Sequence, residues 1–180
     1  MEVPLPESSS QRRVLFKASR FEVVEVDQPT ANGRMRPRQF VAHPGAVVII
    51  PLLEGGRVCL IRNERPAVGK TLIELPAGTI DPPEPPSETA PRELKEETGY
   101  AARHWRELPG FYMSPGILSE RMHVFVAEGL TEGDHAREEG ENIDNLIVPW
   151  DEALRMADSG EIEDAKTLCA LLLWERLRPR

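Results

Sequence analysis

A chain of 180 residues with 40% apolar and 29% charged side chains can build one globular domain with a real core, and it is not the composition of a disordered protein. A formal net charge of −8 argues against a general binder of nucleic-acid phosphates, which would present a basic surface, and suits a site built on acidic metal ligands. The two cysteines, Cys59 and Cys169, stand far apart among apolar neighbours, so they form neither a disulfide framework nor a metal cluster and are expected to be buried thiols.

The first residues, with Pro4, Pro6 and Ser8 to Ser10, read as a loose leader over 1–12 and carry no signal-peptide h-region. Alternation from Val14 to Val26 and from Arg38 to Ala42, around the turn-rich Asp27 to Gly33, predicts an N-terminal antiparallel hairpin. Gly45 to Leu53 is a continuous apolar run of the buried-strand type; Glu54-Gly55-Gly56 turns it, and Arg57 to Arg62 pairs back. Leu72 to Gly78 reads as one strand, followed by the proline-rich loop Asp81 to Pro86 and a helix with Ser87 as its N-cap. Strands are expected at Trp105 to Tyr112, His123 to Glu128 and Ile143 to Val148, with a polar loop Thr131 to Glu141 and two closing helices. The last, Asp164 to Leu177, sets Ala165, Leu168, Cys169 and Leu172 on one stripe expected to pack on the sheet. No apolar run approaches the roughly 18 residues of a membrane span, so a cytoplasmic protein with neither membrane nor nucleic-acid partner is expected.

Chemistry concentrates in Arg92-Glu93-Leu94-Lys95-Glu96-Glu97-Thr98-Gly99. On a helix, Glu93, Glu96 and Glu97 share a face, where like charges repel. Hard divalent cations take carboxylate oxygens and keep waters that reach a phosphate, so this ridge reads as a magnesium platform. Taken alone, the octapeptide fits equally a solvated acidic helix capped by Gly99. The longer pattern is more specific: Gly78, Glu84, Arg92, Glu93, Leu94, Glu96, Glu97, Gly99 and Tyr100 reproduce G-x5-E-x7-R-E-U-x-E-E-x-G-U, with U bulky and apolar.

That pattern resembles the Nudix box. The resemblance extends over Val14 to Leu177 and points to the ADP-ribose pyrophosphatases through Arg65-Pro66-Ala67-Val68-Gly69, Glu74-Leu75-Pro76-Ala77-Gly78, and Pro115, 16 residues beyond Gly99. It implies an α/β (α+β) fold: an α/β/α sandwich with a mixed central sheet over 44–180, plus a small antiparallel β lobe over 13–43 that some relatives swap between the subunits of a homodimer. The implied reaction is hydrolysis of ADP-ribose to AMP and ribose 5-phosphate with about two to three Mg2+ ions, Mn2+ being a substitute.

By the same resemblance, metal is held by the side chains of Glu93 and Glu97 and the backbone carbonyl of Ala77, and Glu96 is either a shared metal contact or the general base. Arg92 orients the glutamates, supported by Glu84, while Gly78 and Gly99 permit tight backbone turns. The acidic loop Arg137 to Glu141 supplies Glu139 and Glu141, one as base and one as metal ligand, in an order left open. Glu120 is a further metal-shell candidate, Arg65 grips a substrate phosphate, Pro115 marks the ADP-ribose preference, and Arg36 is compared with an arginine lent by a partner subunit. Asp164-Ala165-Lys166-Thr167 is similar to the subgroup's closing helix and is read as packing. Two departures stand out: Pro83, where relatives often have glycine, and Pro91, which removes one helix donor. Besides the ADP-ribose reading, an NDP-sugar or dinucleotide pyrophosphatase and a non-hydrolytic nucleotide sensor stay open.

Overall fold

The computed structural model describes residues 12–133 and 143–179; the leader through Gln11 and the loop glutamates Glu139 and Glu141 lie outside the described residues. Three strands, β1 (Arg13–Lys17), β2 (Glu22–Pro29) and β3 (Met35–Ala42), form an antiparallel sheet of their own where a hairpin was expected. The alternating run from Val14 is broken because Ala18 N–H turns back onto the Phe21 carbonyl at 2.9 Å, so β1 folds against β2.

The chain continues through β4 (Ala46–Leu53), β5 (Arg57–Arg65), β6 (Lys70–Glu74), β7 (Ala77–Thr79), α1 (Pro86–Thr98), β8 (Tyr100–Ala101), β9 (His104–Tyr112), β10 (Arg121–Glu128), β11 (Thr131–Glu132), β12 (Ile143–Pro149), α2 (Trp150–Ser159) and α3 (Ala165–Leu177). The main sheet is mixed, in the order β12-β5-β4-β10-β9, with β6 added to β5 and β7 to β4. Only the β4–β10 pairing among these is parallel, Ala46 to Pro51 lying beside Met122 to Ala127.

The uninterrupted Val47-Val48-Ile49-Ile50 follows from cover on both faces of β4. Alternate side chains part: Val47 and Ile49 join Cys59, Phe125 and the α1 residues Ala90 and Leu94. Val48 and Ile50 join Leu60, Val124 and Val126 against Trp150 and Ala153 of α2 and Leu171 and Trp174 of α3. The result is the expected α/β/α sandwich, and each fully buried Leu or Ile contributes about 1.5–3 kcal/mol.

Three local expectations fail for physical reasons. Leu72 to Gly78 is two strands: Pro76 has no N–H to donate to a ladder, its carbonyl accepts from Ile49 N at 2.9 Å, and the chain changes partner there from β5 to β4. The N-cap of α1 is Pro85, with Pro86 opening the helix, so Ser87 lies inside the first turn and Pro91 inside the helix, while Gly99 closes it at φ +76°. On α3 the buried residues are Lys166, Thr167, Ala170, Leu171 and Trp174; Ala165, Cys169 and Leu172 are exposed. Asp164 caps that helix by accepting from Thr167 N, and the polar contacts of Lys166 and Thr167 turn its first turn inward.

Candidate active site

Leu94 and Ala90, both fully buried, pin α1 to the sheet, and the acidic residues between and beyond them are thereby held against the β7 segment. Glu97 is buried, and its Oε2 accepts from Ala77 N–H at 2.8 Å. Glu93 presses its carboxylate onto the Gly78 Cα, in the space that any Cβ there would occupy. Gly78 does not have a left-handed φ, so its role is this close approach and not the turn expected of it; Gly99 does fill the turning role, its N–H donating to Lys95 O at 2.9 Å.

Arg92 sits among the acids as the sequence implied. Nη1 donates to Glu93 Oε1 at 2.8 Å and to Glu96 Oε2 at 2.9 Å, while Nη2 reaches Glu84 Oε2 at 3.1 Å and the Thr79 carbonyl at 3.4 Å. The hydrogen bonds from Arg92, foremost, hold Glu84 below the usual carboxylate range, with Thr89 adding another, and the bonds to Glu84 and Glu93 raise Arg92 further. One guanidinium against Glu84, Glu93 and Glu96, with Glu97 alongside, leaves an excess of negative charge. Among the described residues no three acidic, histidine or cysteine side chains make a ready-made cage. The donor set is nevertheless all oxygen, and the Glu93 carboxylate and the Glu97-bound Ala77 backbone lie together, which fits a hard divalent cation better than a soft one.

These groups line one open cavity of about 450 Å3. Its lining includes Ala77, Gly78, Arg92, Glu93, Glu96 and Glu97, Arg65 from β5, and Ser19 and Arg20 from the turn between β1 and β2. Arg20 was missed in the sequence, where it falls inside the alternating run from Val14 to Val26 and not in an expected turn. Arg65 is anchored from behind: its Nε and Nη2 donate to Glu74 Oε1 and Oε2 at 2.7 and 2.6 Å. Burial would raise Glu74, but Arg65 and Lys166 outweigh it and keep the carboxylate ionised below its ordinary range.

Leu94 is core, and Arg36, Pro115 and Glu120 lie outside this cavity in the single chain. Arg36 is exposed on β3, opposite Gln28. Pro115 is exposed in a loop tied to β3 by Val41 N to Ile117 O at 2.8 Å and Ser119 N to Val41 O at 2.9 Å. Glu120 Oε1 is 3.6 Å from His43 Nδ1.

Residues 42–171 match the Nudix domain family. The chain belongs to the Nudix family and is a pyrophosphohydrolase of nucleoside diphosphate derivatives, a class whose members generally use divalent metal. It is 35% identical over 169 residues to the ADP-ribose pyrophosphatase of Bacillus subtilis (strain 168), covering 93% of this chain and 91% of that one. It is 36% identical over 154 residues to the methanol dehydrogenase activator of Bacillus methanolicus, with 84% and 82% covered. Among solved structures, an ADP compounds hydrolase superposes with a TM-score of 0.79 at 26% identity, over 92% of this chain and 90% of that one. No helix among the described residues is long and apolar enough to cross a membrane.

Proposed function

We propose that the chain hydrolyses ADP-ribose to AMP and ribose 5-phosphate with magnesium. The observation that carries this reading is the convergence of Glu93, Glu96, Glu97 and the Ala77 backbone in one cavity that an anchored arginine, Arg65, also lines. The likeness to the B. subtilis ADP-ribose pyrophosphatase supports the choice of substrate.

In this reading Glu93, Glu97 and the Ala77 carbonyl hold the cation, and Glu96 is a shared ligand or the base. Bound there, a divalent ion offsets the charge that builds on phosphate oxygens as the P–O–P bridge breaks and makes water a better nucleophile. Arg92 keeps neighbouring carboxylates apart and aimed, because a guanidinium fork fixes both direction and distance. Arg65 turns its outer N–H groups toward a substrate phosphate. The proton leaves water for a carboxylate drawn from Glu96, Glu139 and Glu141, and glutamine substitution of each in turn identifies which.

A homodimer belongs to the same proposal. Val14, Leu15, Phe16, Phe21 and Met35 are large apolar side chains left exposed on or beside the N-terminal sheet, with Phe16 57% accessible, and a second copy would cover them. That copy would also be the means of bringing Arg36 toward the cavity. Light scattering of the purified chain reads this directly, and a monomer at working concentration rejects it.

The test of the reaction is a product assay across ADP-ribose, NADH, FAD and GDP-mannose, with Glu97→Gln as the control. Glutamine can still accept from Ala77 N–H, so the fold is kept while the carboxylate charge is lost; turnover should fall by at least about 10²-fold. Turnover of that variant at the wild-type rate would remove Glu97 from the chemistry, and preference for GDP-mannose would move the substrate to an NDP-sugar.

A further inference from the structure

Behind Arg65 lies a polar cluster that packing alone does not explain. Glu74 is completely buried, and its carboxylate takes the Arg65 fork on one side and the Lys166 ammonium on the other. Lys166 is itself buried and reaches Asp164 Oδ1 at 3.0 Å. Asp164 Oδ2 accepts from Thr167 N at 2.9 Å and from Thr167 Oγ1 at 2.6 Å, and Thr167 Oγ1 accepts from Leu75 N at 2.8 Å. The first turn of α3 therefore grips both the side chain of Glu74 and the backbone of the residue after it.

Two carboxylates and two cations make the cluster neutral, but burying an ion pair such as Glu74 and Lys166 is a poor source of stability, since apolar residues of like volume generally do as well. What the arrangement does achieve is orientation. Glu74 engages the Nε–Nη2 edge of Arg65, so the guanidinium is held in one plane with Nη1 donating no hydrogen bond among the described residues, on a side chain that is 39% exposed and lines the cavity. An unanchored arginine would lose rotamer freedom each time a ligand ordered it, whereas a side chain fixed in advance does not.

We propose that Glu74 and Lys166 are positioning residues for substrate: the N-terminus of α3 locks Glu74, and Glu74 holds Arg65 so that its outer edge faces the substrate's diphosphate. This rests on the reading that Arg65 grips a substrate phosphate. It assigns to Asp164-Ala165-Lys166-Thr167 a role in affinity, carried from a helix that contributes none of the residues lining the cavity.

The experiment measures binding of the non-hydrolysable α,β-methylene analogue of ADP-ribose by calorimetry with Mg2+ present, alongside KM and kcat for ADP-ribose. Lys166→Met should weaken analogue binding and raise KM by about tenfold while kcat stays within about twofold, the split expected when only preorganisation is lost. Because Lys166→Met leaves Glu74 and Asp164 with one cation between them and can fail to fold, the double variant Glu74→Gln with Lys166→Met carries the same test with the completely buried carboxylate removed and the net charge of the cluster restored to zero, and it should show the same weakening in a protein whose circular dichroism is that of wild type. Wild-type affinity in a folded Lys166→Met or in the double variant overturns the inference. Arg65→Lys separates the two layers. If it weakens binding while the others do not, the latch is wrong and the arginine reading stands; if it binds as wild type, the arginine reading fails and the latch with it. A wild-type protein that neither binds the analogue nor cleaves ADP-ribose refutes the substrate itself.

Discussion

Gly78→Ala separates the stability of this protein from its activity. The new methyl group would land on the Glu93 carboxylate, and Gly78 has no left-handed φ, so the backbone accepts alanine and the whole conflict falls on one side chain. Glu93 is the end of a flexible chain and can swing away. Forcing it off its rotamer costs about 0.5–1.5 kcal/mol. Its 2.8 Å bond to Arg92 is lost as well, a loss softened because Arg92 keeps Glu84 and Glu96 and is partly solvated. A total of about 1–2 kcal/mol lowers Tm by roughly 2–8 °C in a chain of this length. Turnover should fall far more, by at least about 10²-fold, because a misplacement of about 1 Å in a group that orders the reaction costs that much. Differential scanning fluorimetry, kcat/KM for ADP-ribose and a Mg2+ titration read the three quantities. A variant with kcat/KM within about twofold of wild type would show that Glu93 is not used where the structure puts it, and a collapse of Tm would show that Gly78 serves the fold.

The thiols should divide cleanly: Cys169 is exposed and should react with Ellman's reagent in the native protein, whereas burial pushes Cys59 up to about 12 and should keep it silent until denaturant is added. His123 is held below its ordinary pKa by burial, then by Arg121, with Glu107 at 3.8 Å only partly opposing. Its unfolded form thus binds a proton first as pH drops, so stability is full above about pH 6.5 and declines below it; the urea midpoint should fall between pH 7.5 and 5.5, and less so in His123→Gln. Leu171→Ala, at a fully buried position on the inner face of α3, should cost about 2–5 kcal/mol with its denaturant slope unchanged, and a loss below about 1 kcal/mol would mean that the core closes over the gap.

Much of the architecture was legible because one residue's surroundings determined it. The apolar run of β4 announced cover on both faces, and the box spacing placed its acids on a helix ended by Gly99. Long-range choices were not. Leu72 to Gly78 has the composition of one strand, and only the partner exchange at Pro76 divides it. The face of α3 that is buried lies nearly opposite the stripe expected, a shift of two residues from 165, 168, 169 and 172 to 167, 170, 171 and 174, because Lys166 and Thr167 have buried partners 92 positions away, which no helical period encodes. At the site, the sequence supplied Glu84, Arg92, Glu93, Glu96 and Glu97 but could not supply Arg20, whose place at the cavity wall comes from the fold of a separate sheet.

The parallel union of β4 and β10 has a consequence for synthesis. Those two strands need a crossover between them, and α1 lies on it, so a nascent chain stalled just past Gly99 already holds every box acid but lacks the sheet neighbour beside β4 that would finish the floor beneath them. Such an intermediate has high sequence separation still to close and should gather its acids slowly, only once residue 127 has cleared the ribosome.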